Sequence, residues 1–238
     1  MKSFHLFFDL DRTLWDFESN SKAALEVIFN DLKLHNYKID FKEFYNTYVT
    51  INSDLWKAYR DNKISKTELR IKRFQDTLIK LQINEDKLAA ELSSLYIKLS
   101  PYQTKLFPNV INVLSELKNQ GYTMHIITNG FKEVQGIKLE QSGLVQYFNV
   151  VICSEEIGFL KPAKEIFSYS LAKSGALLNN SIMIGDDYKA DIMGAQNFGM
   201  KSLYFTPNKK LIELKEDFEF SNFNQLLFLI PKVFQKEL

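Results

Sequence analysis

The 238-residue chain holds one cysteine, Cys153. This excludes an internal disulfide and any multi-thiolate metal site. Following the apolar VVI of a predicted strand, Cys153 reads as a buried, inert thiol. Glycine and proline are missing from the first hundred residues, and no strand signal stands between Asn20 and Leu99. Neither sign of charge dominates, with 30 Lys plus Arg against 29 Asp plus Glu. No overall basic field points to a nucleic-acid polymer, whereas a small anionic substrate needs only a few well-placed cations. No stretch approaches the ~20 apolar residues of a membrane span. Acidic residues interrupt the first apolar run by Asp9, with no small-residue cleavage site after it, so no signal peptide is read and a cytoplasmic location is expected. Apolar side chains are plentiful: 45% of the residues are hydrophobic and 14% aromatic, ample for a core.

The chain opens MKSFHLFFDLDRTLWDF. A short apolar run ending in two aspartates reads as a buried parallel strand that delivers carboxylates to the sheet edge where open α/β folds keep their ligands. From Asn20 to about Leu99 the apolar spacing is helical throughout, with Asp40, Ser65 and Asn84 placed as N-caps. After Pro101 helix and strand alternate: PNVINVLSELKNQG, YTMHIIT, FKEVQGIKLEQSG, VVICS, PAKEIFSYSLAKSG, SIMIG, ADIMGAQNFG, KSLYF. The fold class is therefore α/β, a doubly wound parallel sheet with an all-helical block inserted after the first strand. The expected boundaries are 1–18 and 100–238 for the α/β domain and 19–99 for the helical insertion.

Four strand ends gather chemistry. The first gives Asp9 and Asp11, the next Thr128 and Asn129. The third is followed by Lys161, just before Pro162, and the fourth by Asp186 and Asp187, with Asp191 one turn on. Five carboxylates on one edge call for a cation, and a hard oxygen-preferring dication such as Mg²⁺ fits while leaving room for phosphate. Lys161, Thr128 and Asn129 are suited to phosphoryl oxygens. One aspartate can attack phosphorus and its neighbour can move protons. An EF-hand is excluded, because Leu14 stands at the sixth loop place and Asn20 at the twelfth.

These motifs, DLDRT, ITN, the lysine of LKP and GDDYKAD, resemble the phosphatase branch of the haloacid dehalogenase superfamily in order, spacing and position after strands. The insertion looks like that family's helical C1 cap, and LWDF after the first motif resembles the pyrimidine 5'-nucleotidase-like branch. The resemblance implies a Rossmann-like core and an aspartyl-phosphate mechanism. Asp9 would be nucleophile and Mg²⁺ ligand; Asp11 would be acid/base and bind the metal through its carbonyl. Thr128 and Lys161 would bind phosphate, Asn129 would touch the same region, and Asp186 would be the third metal ligand. Asp187 and Asp191 would hold the metal's water shell or Lys161, while Thr13 would support the loop. Arg12 departs from the glycine found there in many members. Trp15 and Asp16 are candidates to touch substrate.

The implied reaction is Mg²⁺-dependent hydrolysis of a small phosphate monoester, with a nucleoside 5'-monophosphate favoured. The alternatives are a phosphoglycolate or sugar-phosphate phosphatase, a phosphomutase, a 2-haloacid dehalogenase, or an inactive binding protein on the same fold. No membrane partner is expected, and monomer and dimer stay equally open. His5, His35 and His125 read as structural. The cap aromatics Tyr37, Phe41, Phe44, Tyr45, Tyr48, Trp56 and Tyr59 read mostly as cap core, with one or two able to stack on a base.

Overall fold

The computed structural model describes residues 4–209 and 218–235. The chain divides into two compact units, residues 1–17 with 104–238, and residues 18–103.

In the first unit the run after His5 forms β1 (His5–Phe8), buried along its whole length. Its side chains alternate between two helical layers, as the pleat requires. Leu6 and Phe8 join a cluster with Val113, Leu117, Leu229 and Ile230, and Phe7 joins one with Ile166, Phe167 and Ala195. These partners come from α5 (Val110–Asn119) and α9 (Leu226–Gln235) on one face, and from α7 (Lys164–Ser174) and α8 (Gly194–Phe198) on the other. A strand covered on both faces needs a continuous apolar run, which is what the sequence provides. The other strands are β2 (Thr123–Thr128), β3 (Val150–Cys153), β4 (Ser181–Gly185), β5 (Lys201–Phe205) and β6 (Glu219–Phe220). They form one six-stranded sheet in the order β3-β2-β1-β4-β5-β6, with every pairing parallel. The chain runs outward from β1 through β2 to β3, then returns to lay β4 on the other side of β1. That reversal opens a crevice at the carboxyl ends of β1, β2 and β4.

The second unit is helical: α1 (Phe17–Asp31), α2 (Phe41–Arg60), α3 (Lys66–Lys80) and α4 (Asp86–Leu99). Asp40 caps α2 by accepting from the Glu43 N–H at 2.7 Å. Ser65 and Glu68 form a reciprocal capping box at α3. Asn84 does not cap α4. The helix begins one residue later, with Glu85 at the cap position and no side-chain hydrogen bond there. The unit's core includes Leu25, Ile28, Phe44, Tyr48, Phe74, Leu92 and Tyr96.

Two elements differ from the sequence reading. The helix expected over ADIMGAQNFG begins as a wide π-type turn, Tyr188–Met193, before α8. The Asp187 side chain sets that turn by accepting from the N–H groups of Lys189 (3.0 Å) and Ala190 (2.9 Å). Beyond β5, the strand β6 and helix α9 had no counterpart in the reading. Two residues carry too little alternation to show a strand, and Pro231 inside α9 reads as a break.

Candidate active site

The crevice is lined from the strand ends. Asp9 directly follows β1, Thr128 closes β2, and Asp186 follows Gly185 at the end of β4. Lys161 stands in the loop between β3 and α7. Its ammonium, 2% exposed, is the hub of the site. It meets Asp9 Oδ1 at 2.7 Å and Asp191 Oδ1 at 2.7 Å, and donates to the Ile127 carbonyl at 2.7 Å. Asn129 fixes the lysine's backbone at both ends: Nδ2 donates to the Lys161 carbonyl (3.0 Å) and Oδ1 accepts the Lys161 N–H (2.8 Å). Its amide is thus engaged with the Lys161 loop rather than directed at a ligand.

Two glycines permit this packing. A Cβ on Gly185 would collide with the Asp191 carboxylate. One on Gly194 would stand 2.9 Å from the Pro162 Cα, beside the cis Lys161–Pro162 bond. Close approach, rather than backbone freedom, is the reason for glycine at both places.

Asp9, Asp186 and Asp191 each offer a carboxylate oxygen within 4.8 Å of the others. Asp186 also accepts the Thr13 hydroxyl at 3.0 Å, and Asp191 Oδ2 accepts the Asp187 N–H at 3.1 Å. Three acidic groups with one lysine bridging two of them leave an excess of negative charge. Burial pushes Asp9 up to about 7 against the pull of Lys161, with Asp191 and Asp11 adding to the rise. Burial, then Asp9 and Asp191, hold Asp186 well above the ordinary carboxylate range. Burial also raises Asp191, although Lys161 opposes it. For Lys161 burial works against the charged form, but Asp191 and Asp9 outweigh it and keep the ammonium above its usual value. Added positive charge would relieve the mutual repulsion of these carboxylates. Hard oxygen donors this close together fit Mg²⁺, which Asp9 and Asp186 would hold through their carboxylates with Asp191 near enough to contribute.

Asp11 is held differently. Its two oxygens receive Lys138 Nζ (2.5 Å) and Gln135 Nε2 (2.8 Å), both from α6 (Lys132–Gln141). Lys138 is 4% exposed, with its ammonium 4.1 Å from the centre of the Trp15 ring. Gln135, fully buried, also donates to Thr128 Oγ1 at 2.7 Å. The Gly130 N–H donates to the same oxygen at 3.0 Å, so the Thr128 hydroxyl keeps its own proton to donate. The sequence reading missed Gln135 and Lys138. Only the fold marks them, as two polar side chains among the three buried residues of α6.

Trp15, expected as a candidate to touch substrate, is 1% exposed and belongs to the main apolar cluster of its unit. Its ring is already enclosed by protein. Asp16 is paired with Lys105 Nζ at 3.1 Å, and its N–H donates to the Lys105 carbonyl at 3.0 Å. Arg12 has φ +68°, a conformation that favours glycine, and its guanidinium lies 4.3 Å from the centre of the Phe17 ring. Asp187 is committed to its turn. Cys153 is buried, with burial and then Glu156 and Glu155 pushing its thiol up to about 12.

A sheet with this reversal, an aspartate after its first strand and a lysine-bridged acidic cluster define a hydrolase class. Residues 6–205 match the family model of the haloacid dehalogenase-like hydrolases, and the chain belongs to that family. It is 30% identical over 211 residues to the pyrimidine 5'-nucleotidase YjjG of Escherichia coli (strain K12), covering 88% of this chain and 89% of that one. It is also 30% identical over 214 residues to a glyceraldehyde 3-phosphate phosphatase of Methanothermobacter thermautotrophicus, covering 89% and 88%. Among solved structures, the magnesium-bound HAD-hydrolase YfnB of Bacillus subtilis superposes with a TM-score of 0.84 at 28% identity, over 97% of this chain and 100% of that one.

Proposed function

We propose that this protein is a Mg²⁺-dependent phosphatase that cleaves a small phosphate monoester through an aspartyl-phosphate on Asp9, and that its substrate is a nucleoside 5'-monophosphate. The observation that carries the chemistry is the convergence of the Asp9, Asp186 and Asp191 carboxylates within 4.8 Å of one another, with Lys161 bridging Asp9 and Asp191. Asp9 supplies the attacking oxygen to phosphorus while Asp11 gives a proton to the departing ester oxygen. Asp11 then takes a proton from the water that attacks the same phosphorus. The bond from phosphorus to Asp9 breaks, releasing inorganic phosphate. Thr128 donates its hydroxyl proton to a phosphoryl oxygen, and Lys161 offsets the charge of Asp9. Bound Mg²⁺ would neutralise charge on the transferring phosphoryl group. Gln135 and Lys138 keep Asp11 in register with Thr128. The helical unit serves as the cap that selects the substrate.

The nucleotide assignment draws on the nucleotidase relative, and the relative acting on glyceraldehyde 3-phosphate supports a sugar-phosphate reading as the alternative. A panel of nucleoside monophosphates, sugar phosphates, phosphoglycolate and para-nitrophenyl phosphate, assayed with and without EDTA, separates the two. Nucleotides are expected to give the highest kcat/KM and EDTA to abolish turnover. Nucleotides ranking last would reverse the substrate assignment, and EDTA-resistant activity would remove the metal. Asp9→Asn is expected to lower kcat by several decades on every substrate.

A further inference from the structure

Strands β2 and β3 stay paired as far as Thr128 and Cys153, where their ladder ends. Beyond that pair the chain leaves the sheet as two separate loops. One runs from Thr128 into α6 and the other from Ser154 to Lys161, so each loop carries a candidate phosphate ligand. Contacts on two sides rejoin them. On the inner side Asn129 brackets the Lys161 backbone. On the outer side Glu155 Oε2 accepts the N–H of Lys132, the first residue of α6, at 2.8 Å. Glu156, next in sequence, meets Lys173 Nζ of α7 at 2.7 Å, with Lys132 Nζ 3.8 Å away. Consecutive glutamates thus fasten the lysine loop to α6 and to α7.

Phe131, at the cap position of α6, offers no side-chain acceptor to the open N–H groups of the first turn. A serine or aspartate there would serve the helix by itself. Here the acceptor comes instead from the loop after the neighbouring strand, and its negative charge suits the positive end of the helix. Such a contact fixes the distance between two loops as well as a helix end. We infer that Glu155 is a positioning residue of the phosphate pocket, holding Thr128 and Lys161 at the spacing that one phosphoryl group spans. This rests on the phosphatase reading above. Glu155 acts through others: through Lys132 and the first turn of α6 on Thr128, and through its own loop on Lys161. That loop is closed tightly, with the Gly158 N–H donating to the Ser154 carbonyl at 3.0 Å and Gly158 at φ +74°. The candidate metal ligands Asp9 and Asp186 follow β1 and β4, outside both loops.

The test uses para-nitrophenyl phosphate as substrate, inorganic phosphate as competitive inhibitor, and a Mg²⁺ titration of the rate. Glu155→Ala is expected to raise the Ki of phosphate and to lower kcat/KM, each about tenfold, as small misplacements of binding groups do. The Mg²⁺ concentration at half-maximal rate should stay as in wild type. Glu155→Gln keeps an acceptor for the Lys132 N–H and should recover most of the loss. Should the alanine variant fail to fold, Glu155→Asp, with its charge kept and its reach shortened, should show the same pattern more weakly. A lower Tm with Ki and kcat/KM unchanged would make Glu155 a helix cap alone and overturn the inference. So would a Mg²⁺ requirement that shifts in step with Ki, or a glutamine variant as impaired as alanine. Each of these leaves the phosphatase reading intact, provided wild type turns over the substrate with Mg²⁺. A wild-type enzyme that neither hydrolyses it nor binds phosphate overturns both.

Discussion

Single side chains here do work that their residue type alone does not announce. Lys161 has three donors, and Asp9, Asp191 and the Ile127 carbonyl take all three. A phosphoryl oxygen must therefore share or displace one of them, so the lysine acts first by holding charge in place. Lys138 has the same character one layer out, pinned between the Asp11 carboxylate and the Trp15 ring. Lys138→Met is expected to lower kcat about tenfold to a hundredfold, within the contribution of a positioned acid/base. The loss should be larger for an alkyl phosphate, whose leaving oxygen needs a proton, than for para-nitrophenyl phosphate, whose leaving group does not. An equal loss on both would place Lys138 outside proton transfer.

Among the elements, the paired strands β1 and β2 carry a buried histidine pair away from the carboxylates. His5 Nδ1 and His125 Nε2 are 3.0 Å apart, and the rings stack with centres 5.3 Å apart. Burial, and then His5, lower His125 to about 4, and burial lowers His5. A depressed histidine pKa means that the folded protein binds fewer protons than the unfolded chain between about pH 6.5 and 4. The stability contribution is whole above that window and is lost as pH falls through it. Replacing the titrating ring in His125→Phe should therefore let the variant gain on wild type in urea midpoint as pH falls from 7 to 4.5. A difference between the two that does not change with pH would show that the pair does not titrate on unfolding. The turn after β4 shows the other control exercised by elements: Gly185 lets Asp191 fold back against the strand end, and Asp187 holds the turn that puts it there.

Over the whole molecule, a dication bound at the acidic cluster would couple metal binding to folding. Three carboxylates within 4.8 Å of one another repel each other in the folded state, and the unfolded chain has no such cluster. A dication that binds only the folded protein adds about 2.7 kcal/mol at a hundred times its Kd. Mg²⁺ is expected to raise Tm by several degrees and EDTA to reverse the shift. Asp186→Asn should have a higher metal-free Tm than wild type and little response to Mg²⁺. A wild-type Tm indifferent to millimolar Mg²⁺ would argue against a metal at this cluster. No helix among the described residues is long and apolar enough to cross a membrane.

The sequence by itself determined the α/β class, because covered parallel strands must be continuous apolar runs, and LFF, HIIT, VVIC and IMI are such runs separated by helical spacing. It also marked the chemical residues, since aspartates, a lysine and a threonine at strand ends share one edge once the strands are parallel. Other features depended on three-dimensional packing. That Asn129 engages the Lys161 backbone, that Trp15 lies inside the core, and that Gln135 and Lys138 reach Asp11 across more than a hundred residues follow from contacts with no trace in local spacing. The short strand β6 and the proline-bearing helix α9 escaped for a related reason. Each is stabilised by the sheet and core it completes, and a periodicity argument registers only what an isolated segment prefers.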